Sequence, residues 1–192
     1  MSGNTLDTFG ENIMRKVVIT FGLIAGAIMI LAIFVSGTLI EREILPIAWI
    51  EVTGYTTMLI ALSMVFFGIK SYRDKHSNGS ITFWKGVQIG VLISLIGSVM
   101  YFAGGELYNA VNPNFFPKVM QRFSEHQITN MKAKGASDDE IIKKNEEMAQ
   151  VLVMFKNPLI RFAVFVMEMF PVGIVVTLVS AGLLRKREML PA

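Results

Sequence analysis

Cysteine is absent and histidine occurs only twice in the 192 residues. Disulfides, thiolate metal sites and cysteine nucleophiles are therefore excluded, and little scope remains for a zinc centre. Charge is scarce as well. Charged residues make up 17% of the chain against 53% hydrophobic ones, and the mean hydropathy of +0.52 is far above that of a soluble domain with a polar surface. The net charge of +3 comes from 18 basic and 15 acidic residues spread over tails and loops. No single basic face forms, so nucleic acid is not an expected partner. No Gly-x-Ser-x-Gly elbow, no His-Glu-x-x-His helix and no aspartate within an apolar block is present, and His76 and His126 both fall in polar segments. The expectation is a chain with no enzymatic activity, no metal and no cofactor.

What is present is apolar sequence in long blocks. Val17 to Ile40 runs without a charge and as a helix covers roughly 36 Å, enough to cross a bilayer. It is too long for a signal-peptide core. Ile44 to Ile69 is interrupted only by Glu51, Gly86 to Gly105 carries no charge, and Leu159 to Leu184 contains Arg161, Glu168 and Pro171. One carboxylate within a span does not prevent insertion, because each Leu, Val, Ile or Phe favours it by about 0.3–0.6 kcal/mol. The reading is a single all-α membrane domain, a four-helix transmembrane bundle with spans at 17–40, 44–69, 86–105 and 159–184.

Nine basic residues lie in the short segments on one side: Arg15, Lys16, Lys70, Arg73, Lys75, Lys85, Arg185, Lys186 and Arg187. On the other side, Glu106 to Pro158 carries seven basic residues balanced by seven acidic ones. The positive-inside rule puts both termini in the cytoplasm. Residues 112–156 then form an extracytoplasmic helical hairpin. Asn112 and Pro113 read as its start, with Phe116, Val119, Met120, Phe123, Gln127 and Met131 in one stripe. Gly135 ends the first helix, and Ser137 with Glu140 caps the second, along which Ile141, Met148, Leu152 and Phe155 align. Asn157 and Pro158 repeat the start signal at the fourth span.

The segments EVTGYTTM (Glu51 to Met58), FFGIKSYRD (Phe66 to Asp74), NPLIRF (Asn157 to Phe162) and PVGIVVTLVSAGLL (Pro171 to Leu184) resemble a bacterial family of small four-span proteins. That family is catalogued only as a domain of unknown function, with a long loop between its third and fourth spans. The resemblance covers nearly the whole chain and implies the fold and a place in the bacterial inner membrane. It implies no activity, cofactor or catalytic residue.

Ionisable groups inside a membrane are functional candidates by default. With Pro46 and Pro158 as entry points, Glu51 lies about 7 Å deep, Tyr55 about 13 Å, Arg161 about 5 Å and Glu168 about 15 Å. Matching depths predict a two-rung contact, Glu51 with Arg161 and Glu168 with Tyr55. Such a contact clamps two helices, or leaves Glu168 free to exchange a proton or small cation. Small residues at steps of four mark close helix approach: Gly22 and Gly26 on the first span; Gly86, Gly90, Ser94 and Ser98 on the third; Gly173, Thr177 and Ala181 on the fourth. The bilayer is the first partner expected, and a second copy of the chain or another membrane protein the next. The role that follows is a non-enzymatic accessory or assembly subunit. The alternative is a proton- or cation-coupled carrier or channel built on Glu51, Tyr55, Arg161 and Glu168.

Overall fold

The computed structural model describes residues 3–77 and 79–185, with side chains described from residue 11. Lys186 and Arg187, counted above, lie outside the described residues. The described chain is all-helical, with six helices in the order α1 (Gly3–Glu41), α2 (Ile50–His76), α3 (Phe83–Val111), α4 (Phe115–Ala133), α5 (Asp138–Met154) and α6 (Pro158–Leu184). Four segments are long and apolar enough to cross a membrane: Glu11–Glu41, Ile47–His76, Phe83–Val111 and Pro158–Leu184. At 27 to 31 residues each, they measure roughly 40–46 Å, so each exceeds a hydrocarbon core of about 30 Å by two turns or more. Those extra turns are where charged side chains can sit without being stranded in lipid.

Each helix starts and stops for a local reason. The Thr82 side chain accepts a hydrogen bond from Lys85 N at 3.3 Å and opens α3; the Asn157 side chain accepts from Leu159 N at 2.9 Å and opens α6, with Pro158 in its first turn. The block from Ile44 predicts a helix that the structure does not begin until Ile50. Glu43 adopts a left-handed φ of 60°, and Pro46 is extended with ψ 145° before a single tight turn at Ile47–Trp49. Hydropathy cannot see these backbone stops. At the other boundary α3 continues past Gly105 to Val111. Asn112 is not the start of the outer helix. Its N–H bonds the Tyr108 carbonyl at 2.9 Å, so it closes α3, and α4 starts only at Phe115.

The hairpin helices α4 and α5 join through Gly135, whose φ of +82° is one that a side chain would strain. The capping box at α5 forms in full. Ser137 Oγ accepts from Glu140 N, and Ser137 N donates to Glu140 Oε2 at 2.8 Å. That donated N–H holds the Glu140 carboxyl below the ordinary carboxylate range. The contribution to α5 is therefore complete above the carboxyl's unfolded value and is lost as the pH falls through its lowered folded value. We expect the Ser137 amide resonance to shift through that acidic titration and to stay flat in Glu140→Gln.

In the bundle, α1 and α6 flank a central α2–α3 pair, and α3 touches all three other spans. The core lies in the half nearer the termini, where Leu62, Val65, Ile69, Ile89, Ile93 and Met169 are completely buried. Outward-facing side chains are large and apolar, as at Leu31 (69% exposed) and Leu183 (73%), which suits a lipid surround rather than water. At the terminal end Arg73 Nη1 donates to the Leu184 carbonyl at 3.5 Å, tying α2 to the last turn of α6. At the hairpin end Arg122 of α4 donates to the Ile40 carbonyl at 3.3 Å and to Glu43 Oε1 at 2.5 Å, docking the hairpin on the end of α1.

Candidate functional site

The site is set by how α3 and α6 meet. They run antiparallel, and their facing residues recur every fourth position on both helices. A Cβ at Gly86 would lie 3.0 Å from Ala181 Cβ, one at Gly90 2.5 Å from Thr177 Cγ2, and one at Gly173 2.6 Å from Ser94 Oγ. The same ladder continues with Phe102 against Phe165, ring centroids 6.0 Å apart, and ends with Glu106 against Arg161. Missing side chains let the backbones approach at one end, and that register delivers an ion pair at the other. Gly22 and Gly26 do the equivalent on α1, against Ile96 and Met100 of α3. All five candidate packing glycines thus face neighbouring helices within the bundle.

The ion pair is a fork. Arg161 Nε donates to Glu106 Oε1 at 2.5 Å and Nη2 to Glu106 Oε2 at 2.8 Å, while Nη1 donates to the Phe155 carbonyl at 2.6 Å and to that of Lys156 at 3.4 Å. A planar guanidinium can satisfy a carboxylate and a helix end together. Arg161 therefore ties α3, the last turn of α5 and the first turn of α6. One and a half turns deeper, the Tyr101 hydroxyl donates to Glu168 Oε2 at 3.3 Å, with the Tyr101 and Phe165 rings 4.7 Å apart. Gly105 makes room for that arrangement, since a Cβ there would lie 2.7 Å from Phe165 Cζ.

The predicted pairing of Glu51 with Arg161 and of Glu168 with Tyr55 does not form. Both α6 groups turn to α3, because the small-residue ladder packs α3, not α2, against their face. Glu51 and Tyr55 still border the same space. A cavity of about 960 Å³ occupies the hairpin end of the bundle, and Glu51, Tyr55, Tyr101, Glu106, Arg161 and Glu168 all line it. Its remaining walls come from the ends of α1 and α3, and its cover from α4 and α5 through Phe115, Phe116, Leu152 and Phe155. The Phe116 and Phe155 rings stack at 4.6 Å across the hairpin. Wall residues on α1 and α3 such as Met29 and Tyr108 are buried, whereas Glu51, Tyr55 and Glu168 are exposed. On the spans the cavity therefore opens along α2 and α6, and Pro117, Ala149 and Val153 of the hairpin are exposed on its lining as well. Glu51 makes no ion pair or hydrogen bond among the described residues, where no group of three His, Asp or Glu side chains could hold a metal ion.

Glu106 and Tyr101 are the site residues that sequence reasoning missed. The signal was there: Gly86, Gly90, Ser94 and Ser98, continued by fours, reach Phe102 and Glu106, and Ala181, Thr177 and Gly173, continued backward, reach Met169, Phe165 and Arg161. Ending the third span at Gly105 hid it.

No curated protein and no solved structure matches the chain. A family model described as "Protein of unknown function (DUF4199)" matches residues 20–186, which takes in most of the first span, the other three spans, the hairpin and every residue of the cavity, and the chain belongs to that family.

Proposed function

We propose that this chain is a non-enzymatic accessory or assembly subunit of the bacterial inner membrane, with both termini cytoplasmic and the hairpin on the opposite face. The observation that carries the reading is the one-sidedness of the bundle. Its cavity and the ionisable groups that line it lie at the hairpin end, and beneath it the completely buried layer of Leu62, Val65, Ile93 and Met169 holds no ionisable side chain, its polar members being the hydroxyls of Ser94, Ser98 and Thr177. A carboxylate relay for protons or cations needs ionisable groups beyond that layer as well, and a protein that works from one face does not.

The hairpin supports the same reading. Neither α4 nor α5 contains a buried residue, and α5 leaves Ile142 and Val153 (65% exposed) uncovered. A second membrane protein covering these side chains would remove apolar surface from water. Orientation rests on the basic residues that collect at the terminal end, Arg15, Lys16, Lys70, Arg73, Lys75 and Lys85 among them.

Native mass spectrometry after mild extraction tests the proposal. The expected result is a complex with a different polypeptide, retained by the wild type and lost in Ile142→Glu, whose altered position is exposed and does not line the cavity, so the bundle should stay intact. A homo-oligomer alone, combined with vesicle proton flux that disappears in Glu168→Gln, would establish the carrier instead.

A further inference from the structure

We infer that the cavity at the hairpin end is a binding site for a lipophilic organic cation that enters sideways from the bilayer between α2 and α6. This goes beyond the accessory reading and needs no partner protein. Volume comes first, since about 960 Å³ is the size of a site for a drug-sized molecule. Access is the second consideration: among lining residues of the four spans the exposed ones, Glu51, Gly54, Tyr55 and Glu168, belong to α2 and α6, two helices whose outer surfaces face lipid, so one opening faces the membrane, while the exposed Pro117, Ala149 and Val153 lie on the hairpin side.

Charge selects the ligand. Three carboxylates border the space, those of Glu51, Glu106 and Glu168, and Arg161 is consumed by Glu106 and two backbone carbonyls. Lys156 is the other cation on the lining, and it lies at the hairpin rim. Glu51, in the first turn of α2, has no partner among the described residues and Glu168, further in, has only the Tyr101 hydroxyl, so two acids border a largely apolar space without a countercharge. Aromatic rings surround them, including Tyr55, Tyr101 and Phe165, and ring faces attract an onium charge. A hydrophobic cation satisfies both features; an anion or a neutral hydrocarbon satisfies at most one.

The test uses two ions of the same shape and opposite charge. Wild-type protein in phosphatidylcholine nanodiscs is dialysed against labelled tetraphenylphosphonium, with empty nanodiscs subtracted, and tetraphenylborate is run in parallel. We expect saturable binding of one tetraphenylphosphonium per chain and none of tetraphenylborate. The doubly substituted Glu51→Gln/Glu168→Gln should bind at least tenfold more weakly. Gly54→Phe supplies a steric arm, because Gly54 lines the cavity and a Cβ placed there meets nothing within 4 Å. This variant should fold normally, as its thermal unfolding will show, and should also lose the cation. Equal saturable binding of tetraphenylborate, or undiminished tetraphenylphosphonium binding by folded Gly54→Phe, overturns the inference.

Discussion

Gly90→Leu is expected to destabilise the bundle by about 3 kcal/mol, because overpacking a filled interface costs about 1–3 kcal/mol and here the opposing Thr177 side chain has no room to give way. A Cβ at Gly90 would already lie 2.5 Å from Thr177 Cγ2, 2.7 Å from its Oγ1 and 3.0 Å from its Cβ. Thr177 is β-branched and completely buried, so it cannot swing aside. The strain passes to the α3–α6 separation, and through the shared register to Arg161 and Glu106. Gly182→Leu on the same α6 is the control: a Cβ there meets nothing within 4 Å, and its stability should change by less than about 1 kcal/mol. Exchanging the bulk across the contact, with Gly90→Ala and Thr177→Gly together, should recover part of what Gly90→Ala alone loses. Equilibrium unfolding in mixed micelles reads all of these variants.

Arg161→Met should cost about 3 kcal/mol, the lower end of the range for breaking a buried ion pair, since the Glu106 side chain keeps 32% of its exposure. The loss has two parts. Glu106 keeps a charge with no countercharge at the membrane boundary, and the carbonyls of Phe155 and Lys156 lose their donor. Amide exchange should therefore accelerate at the junction of α5 and α6 before the bundle unfolds. Glu106→Leu combined with Arg161→Met removes both charges and should regain most of the stability while leaving the junction loose. A coupling energy near zero between the two substitutions would mean that the fork contributes nothing.

The spans were legible in the sequence because lipid imposes a length and a composition that few other constraints imitate. Two local devices were legible too, the Ser137–Glu140 box and the Asn157–Pro158 start, since each is written in adjacent residues. Helix limits were less so. Glu106 and Asn109 are polar, and hydropathy ended the third span before them, yet α3 carries both into the cavity wall. Pairing across helices was the least legible feature. Depth alone matched Arg161 with Glu51, but rotation about the helix axis decides partners, and that rotation is fixed far away by Gly86, Gly90 and Gly173. Reading the fourfold spacing as one continuous ladder, from Ala181 to Arg161, would have found Glu106.

The cavity and the ionisable groups on its lining lie at the hairpin end of the bundle, so a water-borne reagent reaches them from the hairpin side and not from the side of the termini. Because the chain contains no cysteine, single thiols can be placed without background at the exposed positions Thr129→Cys on α4 and Lys75→Cys at the end of α2, and in the cavity wall as Gly54→Cys. Labelling with a membrane-impermeant maleimide, applied to one side of the membrane at a time, should modify Thr129→Cys and Gly54→Cys from the same side and Lys75→Cys only from the other. Modification of Thr129→Cys and Lys75→Cys from one common side, or of Gly54→Cys from the side of Lys75→Cys, would contradict the account.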